Sequence, residues 1–349
     1  MSRRVLIAVH DAATVDQLEH ALRTLGRPFE TVCTGPEAVD RLTKDPGLRT
    51  VIVESDLPEL DGLSLCHWIR SKRENGYTFT MLLLPEAGPK PIESSIGAGV
   101  DEFLARPIDL DELRARLRTG DRLESAEARD TLLFSLAKLA ESRDPETSRH
   151  LERCRAYCHL LADDLRKNGL APTEVDGEFV RLMWQASPLH DVGKTGVPDS
   201  ILLKPGRLTD EEFATMKAHT TIGAEAIAEC LKECPESRFL RIALQIAESH
   251  HERWDGGGYP HGLSLEKIPL AARIMAIADV YDALTSKRVY KNALPHHVAV
   301  NIIVEGSGSH FDPMLVQAFC RQQDAFRKVR ENGNDLACPP ESNTLRRAA

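Results

Sequence analysis

His190-Asp191-Val192-Gly193-Lys194 is the stretch of this 349-residue chain that indicates most about its fold. It follows a run, residues 179–186, whose apolar positions recur with the spacing of one helix face. A histidine and an aspartate beside such a face are costly to bury unless they are paired or bound to a cation. From there outward, residues 132 to about 327 show helical stretches separated by loops, without strand alternation. The sequence therefore predicts an all-helical half built around this pair.

Most of the other histidines and acidic residues that stand out in this half lie at the end of an apolar helix. Any one of them alone would more often be a surface residue or a satisfied core residue. Together, five histidines and three carboxylates indicate a metal centre. Adjacent helical positions point about 100° apart, so we expect His250 and His251 to serve two different metals and Asp191 to bridge two metals. The candidate ligands are Glu146, His150, His190, Asp191, His219, His250, His251 and Asp279.

This donor set indicates both the kind of metal and the kind of chemistry. Imidazoles combined with carboxylates suit Fe, Mn, Ni, Co or Zn better than Mg or Ca. Two such cations lower the pKa of water and hold the oxygens of a phosphate during in-line displacement. We therefore expect phosphate-directed hydrolysis through a metal-bridging hydroxide.

Residues 1–119 have a different pattern, in which short β-like runs alternate with helical stretches. The strand candidates are Val5–Val9, Phe29–Cys33, Val51–Glu54, Phe79–Leu84 and Glu102–Leu104. The helical stretches lie at Thr14–Leu25, Gly35–Lys44, Gly62–Lys72 and Pro91–Ala98. Such alternation implies right-handed crossovers and a parallel sheet with helices on both faces. The predicted fold is therefore an α/β domain with a five-stranded parallel sheet, joined to an all-α domain.

The segment between the two halves is predicted to be a helical connector. Asp109 can cap a helix with apolar positions at Leu110, Leu113 and Leu117, and a second amphipathic run follows the polar stretch 120–130. The end of the chain is polar and rich in helix breakers, which predicts disorder. The expected organisation is a first domain at 1–119, a connector at 120–145, a catalytic domain at 130–327 and a disordered tail at 328–349.

The overall composition argues against some partners. The 44 Lys and Arg residues against 53 Asp and Glu residues give a net charge of −9, which disfavours a surface for long nucleic acid. The longest apolar stretches, such as Met81–Leu84, are far shorter than the ~20 residues that cross a membrane, and no signal-peptide core follows Met1. Eight cysteines without a CxxC pair favour free thiols in a reducing compartment. We therefore expect a cytoplasmic protein without membrane insertion.

Five segments resemble, in order, the motifs of HD-GYP domains, a branch of the HD phosphohydrolase superfamily. They are His190–Lys194, Pro198–Gly206, His250–Pro260, Ala278–Lys291 and Gly308–Pro313. The resemblance covers positions from about 130 to 325 and implies hydrolysis of cyclic di-GMP to pGpG, GMP or both. It implies two or three divalent ions held by the candidate ligands above, with Fe or Mn favoured and Ni, Co or Zn as alternatives. Glu146 is the residue type associated with the third ion; the alternative is an exposed carboxylate on a helix face.

The resemblance also implies residues that bind substrate or take part in catalysis. Asp191 and Lys194 would be catalytic, and Lys194 would also reach a phosphate oxygen. The other substrate contacts would be Asp282, Arg288, Lys291, Gly258, Tyr259 and Pro260. For the basic residues the alternative is a solvated face, and for the Gly-Tyr-Pro loop it is a tight connector. In the family this loop is also proposed to contact diguanylate cyclases of the GGDEF type.

Residues 1–119 resemble the flavodoxin-like receiver domain of two-component response regulators through Leu57–Gly62 and Arg106-Pro107. This sequence departs from the receiver pattern at three places: the phosphoacceptor, the acidic pair that binds Mg²⁺, and the lysine that follows the fourth strand's signalling residue and precedes the proline. The positions concerned are Val9, His10, Asp11, Glu54 and Arg106. Since Glu54 stands at the acceptor position and Val9 removes a Mg²⁺ ligand, we predict a receiver that is not phosphorylated. Either Glu54 beside Arg106 imitates the phosphorylated charge state, or the fold is retained for dimerisation or partner docking.

Two other functions stay open at this stage. The residues themselves do not select guanine over adenine, so the centre could hydrolyse another cyclic dinucleotide. The second is a non-catalytic receptor, in which the connector relays nucleotide occupancy to a partner protein. A homodimer is compatible with each of these functions.

Overall fold

The computed structural model describes residues 4–71, 77–84, 97–142, 149–286 and 293–332. Contacts between residues divide the chain into two compact units, Met1–Thr131 and Leu132–Ala349. Some predicted features lie outside the described residues. They are most of the helix at Pro91–Ala98, the residues Glu146, Arg288 and Lys291, and the tail beyond residue 332.

The first unit contains a five-stranded parallel sheet in the order β2-β1-β3-β4-β5. The strands are β1 Val5–Ala8, β2 Phe29–Val32, β3 Thr50–Glu54, β4 Phe79–Leu83 and β5 Glu102–Leu104. In the register, Val5 pairs with Phe29 on one side and with Thr50 on the other. This strand order is that of the flavodoxin-like doubly wound fold, so the predicted fold class is confirmed.

Helices screen the sheet from water, because β1 and β3 are buried along their whole length. The described helices are α1 Ala12–Thr24, α2 Gly35–Lys44 and α3 Gly62–Ser71. Leu18 and Leu22 of α1 belong to one core cluster, and Leu65 of α3 belongs to another. Parallel strands end at the same edge of a sheet, so the chain after β1, residues 9–11, lies beside Glu54 at the end of β3.

A single helix, α4, runs from Leu110 to Glu141. The sequence predicted two helical runs flanking a polar stretch at 120–130. The helix is instead continuous, because this stretch contains no proline and Gly120 costs a helix interior only about 1 kcal/mol. The boundary between the two units, at Thr131 and Leu132, falls inside α4.

The second unit is predominantly helical. After α4 come α5 His150–Lys167, α6 Gly177–Ala186, α7 Asp199–Leu202, α8 Asp210–Lys217, α9 His219–Glu233, α10 Arg238–Ser249, α11 Leu270–Thr285, α12 His296–Glu305 and α13 Pro313–Asn332. Short 3-10 turns lie at Ser187–Leu189, Val192–Gly196 and Leu265–Lys267. Residues 328–332, expected in the disordered tail, belong to α13. Phe326 and Val329 are buried in the core, and this packing stabilises the helix although many of its last residues are polar.

Helix α11 occupies the centre of the second unit, where it packs against α5, α10, α12 and α13. It is apolar on nearly all sides, as expected of a buried helix. The ring of Tyr281 makes edge contacts, 5.2 Å between centroids, with Tyr157 of α5 and Phe326 of α13. The same helix carries Asp282, which is buried, and Asp279, which is partly buried. Within the described ranges, no helix is both long and apolar enough to cross a membrane.

Candidate metal centre

The predicted ligands meet at one buried place in the second unit. Those that are described fall into three overlapping groups, in each of which the donor atoms lie within 4.8 Å of one another. The groups are Asp191 with His219, His250 and His251; His150 with His190 and Asp191; and His150 with Cys154 and Asp279. Asp191 belongs to the first two groups and His150 to the last two. The sharing of Asp191 is the arrangement expected of a carboxylate between two adjoining ions.

Three of the imidazoles are oriented by backbone carbonyl groups. Their Nδ1 atoms donate, at 2.8–2.9 Å, to carbonyl oxygens about one helical turn earlier in the chain. The pairs are His190 with Ser187, His219 with Met216 and His250 with Ile246. Because a carbonyl oxygen only accepts, Nδ1 carries the proton in each ring and Nε2 keeps a free lone pair.

These Nε2 atoms surround the carboxylate of Asp191. Its Oδ1 lies 3.3 Å from Nε2 of His219 and 3.7 Å from Nε2 of His250. Its Oδ2 lies 3.3 Å from Nε2 of His190. In the described part of the chain, Asp191 Oδ1 and the Nε2 atoms of His219 and His250 are buried without a hydrogen-bond partner. Acceptors that face each other away from water need a proton or a cation between them, so the donor set fits divalent transition metals.

At three of the ligands, Asp191, His250 and His251, the electrostatics favour the protonation state that metal binding requires. Burial alone would raise the pKa of Asp191, but the Lys194 ammonium, 2.8 Å from Oδ2, and the His190 imidazole hold it well below its usual range. Burial and the neighbouring His190 lower the pKa of His250 to about 4. Burial and His250 lower the pKa of His251 well below its usual value. At neutral pH the carboxylate is therefore ionised and the two imidazoles are neutral.

His150 is oriented by a buried carboxylate. Its Nδ1 lies 2.8 Å from Oδ2 of Asp282, and Arg153 donates to both oxygens of the same carboxylate at 2.5 and 2.8 Å. Asp282 was expected to contact substrate, and that contact stays a prediction. The residue is 2% exposed and its oxygens are engaged by His150 and Arg153. Asp282 therefore positions His150, in the way that carboxylates commonly orient histidine ligands.

Gly193 allows the His190-Asp191 turn to pack against the start of α9. A Cβ atom at residue 193 would lie 1.9 Å from the carbonyl oxygen of His219 and 2.5 Å from the backbone nitrogen of Gly223. Only glycine permits such a close backbone contact. The contact brings His219 within reach of Asp191.

The loop after α10 lies beside His251. A Cβ atom at Gly258 would lie 2.4–2.6 Å from the backbone of residues 251–253, so the loop can approach only with glycine there. The N–H of Tyr259 donates to the carbonyl oxygen of His251 at 3.2 Å, and the two rings lie 4.8 Å apart. The buried Glu252 carboxylate closes the loop by accepting two of its N–H groups at 2.8 and 3.0 Å. The substrate contacts of Gly258, Tyr259 and Pro260 stay a prediction.

His250 and His251 were expected to serve two different metals, but the structure places them in the same ligand group. Helix α10 ends at Ser249, so both residues lie in the following turn, where the 100° spacing of a helix does not apply. Their ring centroids are 4.1 Å apart, and both belong to the group that contains Asp191.

Residues near the centre that the sequence did not reveal include Arg153, Cys154 and Glu141. The first two lie three and four positions after His150, so the helix face of α5 could have pointed to them. Glu141 is buried and its Oε1 lies 3.8 Å from Nε2 of His150. Burial raises the pKa of Glu141. The residue stands nine positions before His150, and no local pattern connects the two.

At the sheet edge of the first unit, Glu54 accepts hydrogen bonds from three groups. Its Oε2 accepts from the N–H groups of His10 at 2.8 Å and Asp11 at 3.3 Å, and its Oε1 accepts from Arg106. Asp11 itself caps α1 by accepting an N–H of the first turn at 2.9 Å. Val9 is fully buried in the core. The expected proximity of Glu54 and Arg106 is present; resistance to phosphorylation stays a prediction.

Comparisons with known proteins agree with this arrangement. A family model described as HD domain matches residues 135–315. A cyclic di-GMP phosphodiesterase of Vibrio cholerae is 48% identical over 236 residues, which are 65% of this chain and 48% of that protein, so the chain spans about half its length. The cyclic di-GMP phosphodiesterase response regulator RpfG of Xanthomonas campestris is 38% identical over 303 residues, 80% of this chain and 76% of that one. A 3'3'-cGAMP-specific phosphodiesterase 2 of Vibrio cholerae is 41% identical over 199 residues, 57% of this chain and 36% of that one.

A five-stranded parallel sheet of flavodoxin-like order and a helical unit with a shared His and Asp cluster define a two-unit protein with an HD-type candidate metal centre. The family match covers more than half of the chain, and the chain belongs to the HD domain family. The similarity to RpfG covers 80% of the chain, more than the second unit alone contains, so it extends into the first unit.

Proposed function

We propose that this protein is a metal-dependent phosphodiesterase that hydrolyses cyclic di-GMP to pGpG, GMP or both. The observation that carries the proposal is Asp191, whose two oxygens face the imidazole nitrogens of two ligand groups. A carboxylate shared by two ligand groups would allow two ions to be held close together, which suits in-line displacement at phosphorus. Relatives named as cyclic di-GMP phosphodiesterases support the choice of substrate.

In this proposal each residue has a defined role. When bound, the ions supply positive charge that polarises the phosphodiester and acidifies water. Asp191 stays ionised beside Lys194 and holds the two sets of imidazoles at a fixed separation. The Lys194 ammonium can also donate to a non-bridging phosphate oxygen as negative charge develops there. Arg288 and Lys291 neutralise further phosphate charge, as the resemblance implies. Fe or Mn is the metal proposed, with Ni, Co and Zn as alternatives.

The Gly258–Pro260 loop is proposed to form a wall of the substrate site beside His251. Burial raises the pKa of the Tyr259 phenol, so this group is a neutral hydrogen-bond donor at pH 7. Contacts of the loop with diguanylate cyclases and a homodimer are further predictions.

The relative specific for 3'3'-cGAMP favours a second candidate, hydrolysis of a mixed guanine–adenine cyclic dinucleotide. Metal ligands contact phosphate and not the bases, so one centre suits either substrate. A non-catalytic cyclic dinucleotide receptor is the third candidate, and the convergence of the ligand groups on Asp191 argues against it.

The test is turnover by the full-length chain after anaerobic reconstitution with Fe²⁺ or Mn²⁺. Cyclic di-GMP and 3'3'-cGAMP are supplied in parallel and the products are separated by chromatography. We expect faster conversion of cyclic di-GMP, and loss of turnover in Asp191→Asn. The matched control is Asp163→Asn, a carboxylate of α5 that pairs with Lys167 and should leave turnover unchanged. Faster conversion of 3'3'-cGAMP would select the second candidate, and binding without product would identify a receptor.

The receiver unit is proposed to regulate the enzyme without being phosphorylated. Glu54 already carries a negative charge that is paired with Arg106, and the buried Val9 stands where a Mg²⁺ ligand would be needed. A constant imitation of the phosphorylated state and a docking role are both compatible with this arrangement.

A further inference from the structure

We infer that Glu141 is an additional metal ligand, which joins His150 and Asp279 in holding a divalent transition ion at the edge of the centre. The inference rests on the metal centre of the proposed function and is independent of which nucleotide is hydrolysed.

The first observation is the burial of the Glu141 carboxylate. The residue ends α4 and is 9% exposed. Its Oε1 is buried and has no hydrogen-bond partner in the part of the chain that the structure describes. A carboxylate in this position is strongly unfavourable unless a cation or a proton compensates it.

The second observation is that another carboxylate approaches the same imidazole nitrogen. Oε1 of Glu141 and Oδ1 of Asp279 each lie 3.8 Å from Nε2 of His150. Nδ1 of His150 is engaged by the Asp282 carboxylate, so Nε2 presents its lone pair to both oxygens. Ligands bound to a transition ion at roughly 2.0–2.2 Å lie roughly 3–3.6 Å from one another. Each of the two carboxylate oxygens therefore needs to approach Nε2 of His150 by only a few tenths of an ångström to reach the separation of two ligands of one ion.

The alternative is a simple ion pair between Glu141 and a protonated His150. An ion pair would stabilise the metal-free protein, whereas a ligand acts only when metal is present. The separation of 3.8 Å is within ion-pair range but longer than a hydrogen bond, so Oε1 is not hydrogen-bonded to His150, and the metal titration separates the two readings.

The experiment counts metal in the absence of nucleotide. Full-length protein is freed of metal and titrated anaerobically with Mn²⁺; bound Mn²⁺ is counted by elemental analysis, and free Mn²⁺ is followed by electron paramagnetic resonance. The variant is Glu141→Gln, and the matched control is Glu152→Gln, which removes a carboxylate of α5 paired with Lys138 of α4. We expect Glu141→Gln to lose one Mn²⁺ per chain or to bind its weakest ion at least about ten-fold more weakly. The control should match the wild type.

Melting temperature provides a second measurement. The rise caused by Mn²⁺ should be smaller in Glu141→Gln, whereas the metal-free melting temperature should not fall. An unchanged Mn²⁺ count and affinity would overturn the inference, and so would a less stable metal-free variant that keeps all its Mn²⁺. If Glu141→Gln does not fold, Glu141→Asp is used instead, because it keeps the charge but shortens the side chain by one methylene. The same Mn²⁺ count and affinity then test the inference. A wild type that binds Mn²⁺ but hydrolyses no cyclic di-GMP would refute the proposed function alone.

Discussion

Replacing Asp282 with asparagine removes the charge that holds Arg153 and His150 together in the core. Burial alone would raise the pKa of Asp282, but these two partners hold it at about 2, against an ordinary value of 3.8. A difference of about 2 pKa units corresponds to roughly 2–3 kcal/mol of stability. Because the substitution also leaves the Arg153 guanidinium buried without its counter-charge, we expect a total loss of about 3–5 kcal/mol at pH 7.

The loss should depend on pH in a defined direction. Asp282 has a lower pKa in the folded chain than in the unfolded chain, so its stabilisation is complete above about pH 5 and declines as the pH falls towards 2. The variant has no carboxyl group to titrate at this position. The difference in stability between wild type and variant should therefore shrink by roughly 1 kcal/mol between pH 5 and pH 3.

The assay is urea unfolding of the metal-free, full-length protein, followed by tryptophan fluorescence. In a Trp68→Phe background the remaining tryptophans, Trp184 and Trp254, both report on the second unit. Asp163→Asn is the matched control, because its partners on α5 are exposed, and it should cost less than about 1 kcal/mol. A loss in Asp282→Asn no larger than that of the control, or one that does not change between pH 5 and pH 3, would refute the reasoning.

Four further predictions concern the metal count, the receiver unit and the loop. Glu146→Ala should lower the metal content of the purified protein by one ion; an unchanged content near two ions would contradict the third site. Glu54 should incorporate no phosphate from radiolabelled acetyl phosphate, and detectable phosphotransfer would contradict the inert receiver. Glu54→Gln should destabilise the first unit by about 1–3 kcal/mol in a thermal melt, since Arg106 loses its charged acceptor. Gly258→Ala should cost about 1–3 kcal/mol and lower kcat, because its Cβ meets backbone at 2.4–2.6 Å; turnover equal to wild type would show that the loop can move aside.

The sheet of the first unit was predictable to within one residue at each strand end. Its strands are short apolar runs bounded by polar loops, and a parallel sheet buried on both faces needs such runs. The continuity of α4 was less predictable, because a polar stretch without proline is compatible with a loop or a helix. The extension of α13 to Asn332 likewise depends on Val329 packing in the core, which the polar composition of that segment conceals.

The candidate ligands were recognisable because histidine and aspartate at the ends of apolar helices are rare unless something binds them. Their pairing was not recognisable. The placement of His250 and His251 in one group follows from the end of α10 at Ser249, a boundary that the local pattern leaves uncertain by a few residues. The role of Asp282 depends on Arg153, which lies 129 residues away along the chain.

The sequence by itself determined the two architectures and the kinds of ligand, because periodicity and side-chain chemistry are local properties. Only the tertiary structure decided which atoms face one another. It placed Asp282 within hydrogen-bond distance of His150 Nδ1 across 132 residues of chain, and it placed the buried Glu141 carboxylate near Nε2 of the same ring. Separation along the chain carries no information about such contacts, since they arise where α4, α5 and α11 pack around one buried point.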